Sequence, residues 1–222
     1  MKFVFPELPD VFDTANGSFN TLVIENQRLL ERLLTDITGQ MNGTEGRAVV
    51  SDNNKPLDMA KCADLLDTFI PFELNRKTLV TKITSALEKA ALSPAHYEGS
   101  LEIMRQTELF LNDLAFDFPC DVIFSKITLS GIIKGAGPEI RPASDSIPEN
   151  ILAYMELVTE FDRKKLFFLL NIRSFIPDEE MELFAGTALS HGYNILSIES
   201  SARPILRMKK RVTVDNDLCV IG

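Results

Sequence analysis

Asn171 ends an unbroken apolar run, Leu166 to Leu170, that follows three consecutive cations, Arg163, Lys164 and Lys165. An acid at the end of such a strand, beside a glycine-rich loop, would organise a metal for phosphoryl transfer. Here the strand ends in an amide. The place for the loop lies between an earlier strand, Phe19 to Ile24, and the helix that follows it, and the residues there read IENQRLLERL. They include no glycine and no Lys-Ser or Lys-Thr pair, so backbone amides cannot wrap a triphosphate in the usual way. Asn171 is then either the second missing part of a degenerate nucleotide-binding architecture or a strand-end amide that hydrogen-bonds its own turn. The residues alone favour the second.

Other catalytic chemistry finds little footing. His96 and His191 are far apart in sequence, and His191 before Gly192 reads as the cation at a helix C-terminus. There is no GxSxG stretch, and the acids of PDEEMEL read as a solvated first helical turn. Cys62, Cys120 and Cys219 have no paired spacing, which with two histidines excludes a zinc cluster and predicts free thiols. A net charge of -9 and a pI near 4.8 oppose bulk attraction to nucleic acid, so any DNA contact must use a local basic patch. The start, MKFVFPELPD, lacks the sustained apolar region of a signal peptide, and no apolar run approaches the roughly 20 residues of a membrane span. These features predict a cytoplasmic protein with no membrane contact.

The elements that must position these residues alternate. The strand Phe19 to Ile24 leads into a helix carrying Leu29, Leu30, Leu33, Leu34 and Ile37 on one stripe, stopped at Asn42 and Gly43. RAVVSD and the region of CADLLDTF supply two further short strands. From Glu73 onward helical stripes take over. Leu79, Val80, Ile83, Leu87 and Ala90 share one face, and Ser93 with Pro94 reads as an N-cap and first-turn proline. A second stripe runs through Tyr97, Leu101, Met104, Glu108, Leu111 and Ala115, which predicts two antiparallel helices packed at length. SKITLSGIIK makes a shorter third helix. Alternation resumes with a helix opening at Ser146 and Pro148, the Leu166 strand, a helix from Pro177 to about Ser190, the strand NILSIES and a hairpin turning at Asp215 to Asp217. The fold class is α/β, with a parallel-cored head over residues 1-72 and 145-222 split by a helical leg over 73-144.

The stretches FDRKKLFFLLNIRSFIPDEEMELF and NILSIES, with weaker support from LVIENQRLLERLL and LLDTFIPFELNRKTLVTKITSALEKAA, resemble the type II-A CRISPR-associated spacer-acquisition accessory family. The resemblance covers nearly the full chain in order and spacing. It implies a degenerate P-loop-NTPase-like (RecA-like) head without bound nucleotide and without catalysis, and a homotetrameric ring threaded by double-stranded DNA at its free ends. It also implies calcium ions that set the spread of the legs, and partnership with the spacer integrase complex and the CRISPR effector nuclease.

DNA in such a ring is held through its phosphates, which asks for Lys and Arg on one surface, multiplied by symmetry. Arg163, Lys164 and Lys165 match the family's basic triplet. Lys55, Lys77, Lys82 and Lys134 are further candidates, with Lys61, Arg76 and Lys126 behind them. A second cluster, Arg203, Arg207, Lys209, Lys210 and Arg211, has no counterpart in the family's motifs and could meet DNA or an acidic face of a neighbouring subunit. For calcium, Asp117 and Asp121 with Asp113 flank a helix break where the family carries an acidic hinge, and Glu139 and Asp145 are placed to complete it. Phe118, Pro119 and Cys120 depart from the Glu-rich pattern of that hinge. Two competing readings are a cryptic nucleotide hydrolase and an acidic scaffold that binds only proteins.

Overall fold

The computed structural model describes residues 1-8, 12-13, 17-142, 144-204 and 210-221. Its backbone forms two compact units, Met1–Leu74 with Pro142–Gly222, and Asn75–Arg141. The first unit, the head, opens with β1 (Lys2–Val4), β2 (Phe12–Asp13), β3 (Ser18–Ile24) and α1 (Gln27–Met41), followed by β4 (Val49–Asp52), β5 (Lys55–Leu57), α2 (Met59–Cys62) and β6 (Ala63–Leu66). The helical unit holds α3 (Lys77–Ala91), α4 (Tyr97–Phe116) and α5 (Leu129–Gly135). The chain completes the head with α6 (Ile147–Asp162), β7 (Leu166–Leu170), a 3-10 turn Ile172–Ser174, α7 (Asp178–Ser190), β8 (Asn194–Glu199), β9 (Lys210–Val214) and β10 (Val220–Ile221).

The head is built on a six-stranded sheet in the order β10-β9-β3-β8-β7-β6, parallel from β9 to β6, with β10 added antiparallel at one edge. Strands buried on both faces read as apolar runs, which is why LFFLL carries no alternation. Successive side chains nevertheless divide between the two faces. Leu22, Ile24, Leu166, Phe168, Leu196, Ile198, Val212 and Val214 pack with Leu29, Leu33 and Ile37 of α1 and with Phe3, Phe5 and Phe12. On the other face Phe19 meets Phe184 of α7 edge-on, with ring centroids 6.3 Å apart. Helices α6 and α7 cover that face through Ile151, Tyr154, Met155 and Val158 and through Met181, Phe184, Ala185 and Ala188.

The strand RAVVSD forms as β4, but it joins a separate antiparallel sheet, β2-β1-β4-β5, that caps the α1 side of the core. Asp36 ties this layer to α1: its carboxylate accepts from Arg47 N (2.7 Å), Ala48 N (3.0 Å) and Gln40 Nε2 (2.7 Å). Desolvation pushes the Asp36 carboxyl up, but these donors and the nearby Arg47 charge outweigh it and hold it below the usual value.

Two helical expectations change. Ser93 and Pro94 belong to a turn rather than to α4, which starts at Tyr97 with His96 at its N-cap, and Ser93 O accepts from both His96 N and Tyr97 N. Helix α3 packs chiefly on α5 instead of lying along α4, and α4 is tied back near its start, where Ser100 Oγ donates to Ala91 O at 2.8 Å. The physical reason is that the α4 stripe is only partly covered: Met104, Leu111 and Ala115 are half-buried, whereas Tyr97 and Leu101 are exposed, as are Leu109, Phe110, Leu114 and Phe116 beside them. Among the described residues no helix is long and apolar enough to cross a membrane.

Candidate nucleic-acid interface

The basic triplet lies at the amino edge of the parallel sheet, between the end of α6 and the start of β7. Arg163 ends α6 in the left-handed conformation (φ 59°), and this reversal aims the next residues back at the sheet. Lys165 is exposed while its backbone is fixed, its N donating to Cys62 O (2.9 Å) and its O accepting from Asn194 Nδ2 (3.0 Å). Lys164 turns inward. Its Nζ stands 3.4 Å from Asp64 Oδ1 and 3.6 Å from Asp162 Oδ2, and its side chain is 19% exposed. The other oxygen of Asp64 accepts from Tyr154 OH at 2.7 Å, so Lys164 straps β6 to α6. The triplet therefore divides: Arg163 and Lys165 are exposed and make no ion pair among the described residues, whereas Lys164 is held between carboxylates. Beneath them burial pushes the Cys62 thiol up to about 11, so it is not a thiolate nucleophile near neutrality.

The remaining cations are dispersed. Lys55 is exposed on β5, in the antiparallel sheet, and Lys61 pairs with Asp58 at 3.0 Å. In the helical unit Lys77 and Lys82 are exposed on α3, five residues and about 140° apart around the helix, and Lys126 is exposed before α5. Lys134 approaches Glu88, 3.7 Å away, which also accepts from Ser130 Oγ. Of the second basic cluster, Arg211 Nη1 donates to Arg203 O at 2.8 Å and Lys210 begins β9, while Arg207 and Lys209 lie outside the described residues.

Asp117 is the C-cap of α4, and Asp113, Asp121 and Glu139 are exposed. Among the described residues no three His, Cys, Asp or Glu side chains gather to hold a metal ion, so Asp117, Asp121 and Glu139 do not form a carboxylate cluster within one chain. Calcium prefers six to eight oxygens, and that donor set does not assemble from these three residues.

At the carboxyl edge of the sheet, where doubly wound folds bind ligands, two asparagines are engaged in hydrogen bonds within the chain. Asn26 caps α1 by accepting from Leu29 N (3.0 Å) and donates to Asn216 O in the β9-β10 turn (2.8 Å). Asn171, left-handed at φ 54°, accepts from Ser200 N through Oδ1 (2.8 Å) and so ties the end of β7 to the end of β8. Sequence reasoning missed the group beside it. Glu199 is buried, and desolvation raises its carboxyl above the ordinary value despite a 2.6 Å hydrogen bond from Ser197 Oγ and the nearby Arg173 and Arg203 charges. Arg173, 4% exposed, pairs with Asp178 at 2.7 Å and leaves its Nε unpartnered. The available signal was Ser197 and Glu199 at a spacing of two on one strand face.

A parallel sheet covered on both faces, with a three-helix unit carried within the same chain, defines a mixed α/β protein. The model of the CRISPR-associated protein family Cas_Csn2 matches residues 40-218, and the chain belongs to that family. Its role is accordingly a CRISPR-associated one. No curated protein matches the chain.

Proposed function

We propose that the protein is a non-enzymatic ring that binds the ends of double-stranded DNA during CRISPR spacer acquisition. The observation that carries this reading is the division of the head sheet: at its carboxyl edge Asn26 and Asn171 bond to the chain itself, while Arg163 and Lys165 stand exposed at its amino edge. Two cations per chain become eight in a homotetramer, enough to track a phosphate backbone without reading bases. The strand β3 lying between β8 and β9, followed directly by a helix, supports descent of the head from a RecA-like nucleotide fold. Assembly is supported by the apolar surface of the helical unit, where Phe116 is 88% and Ile123 91% exposed. Lys55, Lys77, Lys82 and Lys134 stand behind Arg163 and Lys165 as channel residues. The spacer integrase complex and the effector nuclease are the partners this family role implies. Calcium ions that set the spread of the legs belong to the same family reading.

The experiment compares purified protein on linear and covalently closed duplex DNA, with calcium and with chelator, at two salt concentrations. Tight binding restricted to linear DNA and weakened by salt is the expected result. Equal binding to both forms would overturn encirclement of an end, and binding to neither would overturn the DNA reading.

A further inference from the structure

The chain's negative charge is concentrated in one layer of the head. Residues 144-162, which contain α6, carry five acids, and residues 177-192, which contain α7, carry four; neither stretch has a Lys or Arg. These nine equal the formal charge of the whole chain, -9, so the other residues balance to zero. Helices α6 and α7 pack side by side, and near their N-terminal ends a cleft of about 650 Å³ opens between them. Leu152, Phe175 and Leu183 give it an apolar floor and wall, with Asp145, Glu149 and Glu180 around them. Leu183 is 73% exposed and Phe175 41%, a large apolar area left in water on an otherwise charged surface.

We propose that this cleft docks a basic partner protein through a segment that seats a bulky apolar side chain against Leu183 and Phe175 and sets Lys or Arg beside Asp145, Glu149 and Glu180. An apolar anchor within a ring of complementary charge is the arrangement from which binding hot spots are made. Charge selects the occupant. DNA phosphates are repelled by this layer, and so is the same face of a second copy, which disfavours a symmetric contact through the cleft. The cleft adjoins the start of α6 and Arg163 its end, 16 residues or about 24 Å away, so DNA and the partner can be held at once.

The test uses the full chain and a labelled amphipathic peptide of about 18 residues, with leucines at helical spacing and lysines elsewhere, beside a control in which glutamates replace the lysines. The lysine peptide should bind saturably, more weakly at high salt, and should shift the methyl resonances of Leu152 and Leu183. Leu183→Glu should weaken it at least about tenfold, as should Glu149→Lys with Glu180→Lys. Leu183→Glu changes an exposed position and should melt like the parent, whereas the double charge reversal removes two first-turn acids and should melt slightly lower while staying folded. Unchanged affinity in Leu183→Glu, equal binding of the glutamate peptide, or shifts confined to other residues would overturn the proposal. So would concentration-dependent burial of the Leu183 methyls in protein alone, which would assign the cleft to a second copy.

Discussion

The head and the helical unit treat their apolar residues in opposite ways. In the head, Phe3, Phe5, Phe12, Phe167, Phe168 and Phe184 are buried, and the sheet is sealed by α1 and β1 on one side and by α6 and α7 on the other. In Asn75–Arg141 only Leu79 belongs to the buried apolar set, while the unit carries thirteen of the twenty exposed large apolar side chains among the described residues. A surface of this kind is uncommon on a monomer, and each bulky side chain it covers on association contributes about 1.5-3 kcal/mol. The head is therefore a finished core, whereas α4 and the segment after it leave bulky apolar side chains in water, and in the proposed ring these are the residues that would meet a neighbouring subunit.

The largest expected effect comes from attacking that surface directly. Phe116→Glu with Ile123→Glu should reduce the assembly to the 24.8 kDa chain in sedimentation, with the head's unfolding midpoint retained. An assembly of unchanged mass would remove those residues from the subunit interface. Next, Phe168→Ala should cost about 3-5 kcal/mol in urea unfolding, because it leaves a cavity against Phe3. Leu101→Ala, at a position 46% exposed, should cost under about 0.5 kcal/mol at concentrations where the chain is dissociated. Similar costs at the two sites would erase the contrast.

Asp36→Ala should cost about 1-2 kcal/mol, chiefly by stranding the backbone N–H of buried Ala48. Since the Asp36 pKa is lowered in the fold, its contribution is full above the ordinary Asp value and is lost as pH falls through the lowered one. Glu199 has the opposite sign. Its raised pKa means the folded state holds the proton more tightly, so stability falls as pH rises from the ordinary Glu value through the raised one. In Glu199→Gln that slope should flatten, while Asp36→Asn should flatten the loss of stability below the ordinary Asp value. A smaller effect than that of Asp36→Ala is expected of Lys164→Ala, which should cost about 1 kcal/mol by releasing the β6-α6 strap.

The elements most legible in the sequence are those with long local signals. LFFLL and FNTLVI are apolar enough to read as buried strands, and the α1 stripe with its Asn42-Gly43 stop fixes that helix, with Gly43 at φ 85°. The antiparallel sheet is not legible because its strands are two to four residues long, too short for alternation to show. The partner of α3 escapes the sequence for a related reason: a helical stripe declares an apolar face but not what covers it. At the candidate site the charges can be read and their environments cannot. The inward turn of Lys164 depends on Asp64, a hundred residues earlier, and the buried group around Glu199 and Arg173 joins two segments that meet only in the fold.

The most direct measurement is the salt dependence of DNA affinity for the parent, for Arg163→Ala with Lys165→Ala, and for Lys164→Ala. In the parent, log K should fall steeply with log salt; the double variant should bind more weakly and with a shallower slope, by about 0.9 for each phosphate no longer neutralised. Lys164→Ala should keep the parental slope. A double variant indistinguishable from the parent, or a weakening confined to Lys164→Ala, would contradict the assignment of the sheet's amino edge to DNA.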